Sequence, residues 1–324
     1  LFFSSCSAVV RCACSFIFLS PLAALKGEAP WIYTRGIALA LEHLQMSFDS
    51  LLPLVKQAAG YLDAHTVQGK ETLDRVLADA VREHLPSEKR TLWDAPSMYG
   101  APDRQTVGGA AVSFLLRPCS FSGLVVFGCR RGGSPTFASF RSWLGRAPET
   151  PPDADRLLVR KFLHCHGPST PALLAEWLGC SPAQARRLWN SVAQELEPVS
   201  VEGKARWLLS ADRDALAHPC GPQERLLLLG PHDPYLDTRD RDVLLPDKAL
   251  QKLVWRTVGN PGAVVLDGRI SGMWTARTVR DRLELSVTAW QAFSARQQSM
   301  LEIRAQEYAA FRWLSLLKYT LEDG

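Results

Sequence analysis

Arg186, Arg187, Asn190 and Gln194 lie on one face of a helical pattern whose other face carries Ala185, Leu188, Val192 and Leu196. Arginine can pair with guanine through two hydrogen bonds, asparagine and glutamine can do so with adenine, and all reach phosphate oxygens. A helix presenting this set therefore suits the major groove of duplex DNA. Past Pro198 the run VSVEGKARWLL turns at Glu202-Gly203 and returns with Lys204 and Arg206, a basic hairpin placed to touch a phosphodiester backbone. The same residue types also suit a solvated face or a protein-binding surface, and both alternatives stand. His164-Cys165-His166 offers metal-ligand chemistry, but alternate residues on a helix face different sides, so neither a metal nor a cofactor is expected.

The elements that must position these side chains are legible around them. Leu158, Phe162 and Cys165 define a first helix over 156–165, ended by Gly167 and Pro168. Thr170 caps a second helix with Pro171 in its first turn and Leu174, Trp177 and Leu178 facing the core; Gly179 ends it. Ser181 starts the third helix, with Pro182 in its first turn and Gln184 placed for a capping box. Three short helices followed by a basic hairpin is the winged-helix arrangement, in which the third helix enters the groove and the wing follows the backbone.

Upstream, residues 48–64 and 70–85 carry apolar residues at helical spacing, and a further helix over 107–116 is expected to stop at Pro118. Short strands follow at 124–127 and 135–137, so helices and then a hairpin occur twice. APETPPDAD (147–155) reads as a linker, and 219–222 forms a second break. Beyond it strands are expected at 226–229, 263–266, 270–274 and 283–287, with Asp267-Gly268 as a two-residue hairpin turn. An amphipathic helix from Ser294 to about Lys318, carrying Leu301, Tyr308, Phe311 and Leu314, is expected to close the chain. The expected division is an anomalous apolar N-terminus (1–30), winged-helix-like structure (31–146), a winged-helix domain (155–210) and a strand-rich unit with a terminal helix (223–324). The fold class is α+β.

Bulk properties agree with a folded, multidomain chain: 324 residues exceed what one small core usually organises, and 47% hydrophobic composition excludes a disordered polymer. A net charge of +4 permits nucleic acid as a partner without requiring it. Eight cysteines contain no CxxC pair, which points to a reduced, cytoplasmic protein. The apolar opening stretch is interrupted by Arg11 and Pro21, so no membrane span is expected. CACSFIFLSPLAAL is similar to the apolar core of a signal peptide, yet nothing downstream looks secreted, and a fragment or aberrant reading of the gene is the expectation for this stretch.

PTFASFRSWLG (135–145), PHDPYLDTRDR (231–241) and GNPGAVVLDGRISGMW (259–274) resemble the signature blocks of the AlkZ-like winged-helix family of DNA glycosylases. HGPSTPALLAEWLG (166–179) and RPCSFSGLVVFG (117–128) fit the same pattern, and the resemblance spans roughly residues 31–318. It implies tandem winged helices plus a strand-rich C-terminal unit, together binding double-stranded DNA as a monomer. It implies hydrolysis of N-glycosidic bonds to alkylated or crosslinked bases without a metal, by a water held between the side chains of a Gln-x-Gln or His-x-Gln pair. That pair normally precedes an Arg-Gly-Thr block, which appears here as Arg35-Gly36-Ile37 with no glutamine or histidine in the first thirty residues. His43-Leu44-Gln45 matches the letters but follows the block. The leading expectation is therefore a DNA-binding member whose catalytic motif is missing or unrecognised. An active glycosylase using His43 and Gln45 is the first alternative, and a transcription regulator the second. By the same resemblance Arg239 and Arg241 belong to an Arg-Asp-Arg element, and Arg277, Arg280 and Arg282 extend the basic surface; pairing with Asp237, Asp240 and Asp242 is the competing reading. Asp233, before a proline, is expected to start a turn.

Overall fold

A computed structural model describes residues 35–99, 105–129, 134–218, 225–236 and 240–324. The anomalous segment 1–30 and Arg239 lie outside these residues. The chain forms an α+β structure of two compact units that divide between Asp212 and Arg213.

The first unit opens with helices α1 (Arg35–Leu44) and α2 (Phe48–Ala59), the second continued by a 3-10 turn at Gly60–Asp63. Ser47 and Ser50 cap α2 reciprocally, each side chain accepting the other's backbone N–H, which satisfies donors a helix start would otherwise leave open. Strand β1 (Val67–Gln68) leads into α3 (Lys70–Glu83), α4 (Ser87–Trp93) and α5 (Val107–Phe121). Strands β2 (Val126–Phe127) and β3 (Thr136–Ala138) and helix α6 (Phe140–Leu144) follow. Leu51, Leu73, Leu77, Leu115 and Leu116 are fully buried where these helices meet. Lys70 Nζ reaches both Asp74 oxygens and Ser113 Oγ at 2.6 Å, tying α3 to α5. Contrary to expectation, α5 does not stop at Pro118 but runs through it to Phe121. Its buried stripe continues through Cys119, and tertiary packing overrides the lost backbone hydrogen bond.

The unit then repeats itself. Helices α7 (Ala154–His166), α8 (Pro171–Leu178) and α9 (Pro182–Asn190) precede the hairpin β4 (Leu196–Val201) and β5 (Lys204–Leu209). The upstream sheet has the order β1-β3-β2. In the repeat, Ser169 between α7 and α8 bridges Trp207 on β5, and β5 pairs with β4, so the order is the same with the first strand reduced to one residue. Arg117 Nη2 donates to Leu178 O at 2.9 Å, and Phe121 packs on the second core, joining the two repeats.

The second unit begins with α10 (Arg213–Ala217) and β6 (Leu226–Leu229). Two short helices follow, α11 (Arg241–Leu244) and α12 (Lys248–Val254), then strands β7 (Gly262–Leu266), β8 (Arg269–Val279) and β9 (Arg282–Ala289). Helix α13 (Ala295–Phe311) and strand β10 (Ser315–Asp323) complete it. The sheet order is β10-β9-β8-β7-β6, antiparallel throughout except for the parallel pair of β9 and β10. Period-two alternation sends Val264, Trp274, Leu285 and Val287 to a core shared with α13. Ala263 and Val265, and Ile270 beyond a bulge between the pairs Val264–Gly272 and Val265–Ile270, go to a second core with Leu244, Leu245 and Val254. Asp267 and Gly268 have φ of +47° and +82°, as a two-residue hairpin turn of the primed type requires.

The expected terminal helix to Lys318 is corrected. The helix ends at Phe311, Trp313 turns the chain at φ +59°, and Leu316, Tyr319 and Leu321 pack on the core from a strand. Their spacing is that of a strand whose partner, β9, lies well upstream. No helix among the described residues is long and apolar enough to cross a membrane.

Candidate nucleic-acid interface

The module of α7–α9 and the β4–β5 hairpin is built from capped, short helices on one core. Thr170 Oγ1 accepts the Leu173 N–H at 3.2 Å and Ser181 Oγ accepts the Gln184 N–H at 3.1 Å. Gly179 ends α8 in the left-handed region, which aims α9 away from it. Leu158, Phe162, Leu174, Leu178, Ala185 and Leu188 are buried together, and Trp189 meets Trp207 edge-on at 6.4 Å. Glu202 and Gly203 turn the hairpin at φ +49° and +73°.

This frame distributes the expected site residues unequally. Arg186 and Asn190 are exposed on α9, Gln194 is exposed in the following 3-10 turn, and Lys204 is exposed at the hairpin tip. Arg186 Nε also donates to Pro182 O at 3.3 Å, which lays the start of its side chain along the helix. Arg187 is half-buried and pairs with Asp155 at 3.0 Å, fastening α9 to α7. Arg206 is only 8% exposed, buried beside Leu208 on the face of β5 opposite the core-facing Trp207 and Leu209. The helix therefore offers Arg186, Asn190 and Gln194 outward, with Lys204 beyond them.

A charge cluster absent from the sequence reading holds the base of the module. Arg160 binds Glu195 through Nε at 2.7 Å and Nη2 at 2.9 Å, and Arg156 Nη2 adds a third contact at 2.9 Å. The i, i+4 spacing of the two arginines was its only local signal. Arg160 first, and then Arg156, hold the Glu195 carboxyl down to about 2 from the ordinary 4.5. A carboxyl depressed on folding stabilises the native state above its unfolded value, and that contribution is lost as pH falls through the folded value. Thermal stability is thus expected to fall between about pH 4.5 and 2. Glu195→Gln should be less stable than wild type at neutral pH and lose less across that window. Melting curves across the acid range check both.

His164 and His166 diverge: His164 Nδ1 lies 2.9 Å from Asp212 Oδ1, while His166 contacts the rings of Phe162 and Trp177. No group of three or more His, Cys, Asp or Glu able to hold a metal occurs among the described residues.

His43 and Gln45 have different surroundings. His43 sits in the last turn of α1, and its Nε2 is buried with no hydrogen-bond partner among the described residues. Gln45 follows the helix at φ +50°, exposed, and both its backbone oxygen and its Oε1 accept from Lys89 Nζ at 3.2 Å.

In the C-terminal unit Arg241 stacks its guanidinium over Trp255 at 4.8 Å. Arg277 pairs across strands with Glu284 at 2.6 Å rather than with the aspartates considered from sequence, and Arg280 occupies the exposed β8–β9 turn at φ +57°. Asp242 binds Lys248 and Gln251 Nε2. Asp233 Oδ1 accepts the Tyr235 N–H at 2.9 Å, the geometry of a turn starter.

Comparison with known proteins adds identity to this geometry. The family model described as DNA glycosylase AlkZ-like matches residues 41–311. Among solved structures the fold is similar to Streptomyces sahachiroi DNA glycosylase AlkZ at a TM-score of 0.66 and 21% identity, over 95% of this chain and 77% of that one. No curated protein matches.

Proposed function

From the premise that the chain belongs to the AlkZ-like DNA glycosylase family, we propose that it binds double-stranded DNA through two tandem winged-helix modules. The observation that carries this reading is the exposed set Arg186, Asn190, Gln194 and Lys204 on a helix and hairpin of that order. The shared sheet topology, in which a first strand or bridge and then, after two or three helices, a hairpin come together in the order first-third-second, supports the tandem arrangement. In this reading α9 enters the major groove, where Arg186, Asn190 and Gln194 meet base edges or phosphates. Lys204 contacts the backbone beside it. Arg187 and Arg206 serve the module's own packing, and Arg241, Arg277 and Arg280 supply further positive charge on the C-terminal unit. Footprinting on undamaged and N7-alkylated duplexes tests the binding mode: protection centred on the lesion supports a repair protein, and protection of one undamaged sequence supports a regulator.

A second reading, active removal of alkylated or crosslinked bases, is favoured by His43. Leaving a buried polar atom unbonded costs about 1–3 kcal/mol, and such atoms in native structures call for an explanation. In its neutral form the His43 ring can accept the proton of a water attacking the sugar C1′. The C1′–N bond breaks as the C1′–O bond forms, its electron pair leaves with the base, and the base takes up a proton. No metal or cofactor enters this scheme. Gln45, turned outward to Lys89, contributes little. Incubation with duplexes carrying N7-alkylated guanine, followed by detection of alkali-labile breaks, separates these roles. His43→Ala is expected to slow base release by about 100-fold or more, the usual contribution of a general base. Gln45→Ala should stay within a few-fold of wild type. Equal rates in His43→Ala and wild type would remove His43 from the reaction.

A further inference from the structure

β10 is the last strand of its sheet and, among the described residues, pairs only with β9. It runs nine residues without proline. Such an edge carries a row of backbone donors and acceptors ready to pair with another strand. Tyr319 and Leu321 face the α13 core, while Lys318, Thr320 and Glu322 share the opposite face. Lys318 and Glu322 are exposed, and neither forms an ion pair among the described residues.

The strand is self-complementary in the antiparallel sense. A two-fold axis through Thr320 sets Lys318 opposite Glu322 of a second copy and Glu322 opposite that copy's Lys318. The same register sets Tyr319 opposite Leu321, continuing the apolar face. Centring on Lys318 would oppose two lysines, and centring on Tyr319 would leave both charges without a counterpart. Opposite charges directly across strands stabilise pairing and like charges oppose it. In place of the monomer expected from sequence, we propose that the chain forms a dimer by antiparallel pairing of β10 with β10 of a second copy, centred on Thr320. The contact is isologous and closes after two chains, because each edge is used once.

Charge exchange tests the register. Sedimentation equilibrium of the full chain at low ionic strength is expected to show a monomer–dimer equilibrium. Lys318→Glu or Glu322→Lys alone sets like charges opposite each other twice and should raise the dimer dissociation constant at least about tenfold. The double exchange restores both pairs and should return it to within about threefold of wild type. Melting curves of all four proteins show whether any variant merely fails to fold. A wild type that stays monomeric at every concentration overturns the proposal. So do folded single variants that dimerise as wild type does, or a folded double variant that does not recover.

Discussion

Gly262→Ala is expected to destabilise the C-terminal unit by about 3 kcal/mol, from overpacking together with an orphaned acceptor. A Cβ at this position would stand 2.2 Å from Trp274 Nε1, 2.3 Å from its Cε2 and 2.6 Å from Leu229 O. The indole cannot yield easily. Its Nε1 donates to Leu229 O at 2.8 Å, and its ring meets Tyr308 edge-on at 4.8 Å. Trp274 is 5% exposed and packs against Leu285, Val287 and Leu301. Turning the ring away from the new methyl would strand the Leu229 carbonyl and disturb the contact that seats α13 on the sheet. Chemical denaturation followed by tryptophan fluorescence reads the loss directly. A midpoint unchanged from wild type would show that β7 and β8 do not approach this closely at Gly262.

Reversing charge on the helix and hairpin should have the largest effect on binding. The double variant Arg186→Glu, Lys204→Glu replaces two outward cations with two anions and leaves the module's core and its Arg160–Glu195 clamp intact. Each phosphate contact removed lowers the salt slope of binding by about 0.9, and loss of a groove-reading arginine costs about 1–3 kcal/mol. Affinity for duplex DNA is expected to fall about 100-fold or more. Arg82→Ala removes one positive charge from a guanidinium already bonded to Asp94 at 2.7–2.9 Å and should change affinity by less than about twofold. An equal loss in that variant would mean that net charge, not the α9 surface, governs binding.

Local rules made much of the architecture legible. Thr170 and Ser181 announced their helices by side-chain type, and Glu202-Gly203 and Asp267-Gly268 announced their turns through Gly203, Asp267 and Gly268, since glycine and, less freely, aspartate tolerate positive φ. The unread features depend on distant partners. β10 pairs with a strand separated from it by the whole of α13, and its leucines follow a helical run, so sequence pattern alone extends the helix over them. Helical position alone puts Arg187 on the groove face, while its partner Asp155 lies 32 residues upstream. Arg206 shares a strand face with exposed Lys204, yet it is buried there beside Leu208, which basic residue type alone does not announce. His43-Leu44-Gln45 matches a catalytic pair by its letters alone, while the hydrogen bonds that both Gln45 oxygens accept from Lys89, 44 residues away, depend on the fold. Helix capping and turn chemistry reach three or four residues. Ion pairs and sheet edges are decided by the fold.

The measurement closest to the central claim is a fluorescence-anisotropy titration of a labelled duplex with the full chain, repeated across salt concentrations and with the charge-reversed double variant. Tight binding at low salt, a linear decline of log affinity with log salt, and a shallower slope with about 100-fold weaker binding in the variant are expected. Wild-type binding that is absent at low salt, or affinities and slopes shared by both proteins, would contradict binding through α9 and the hairpin.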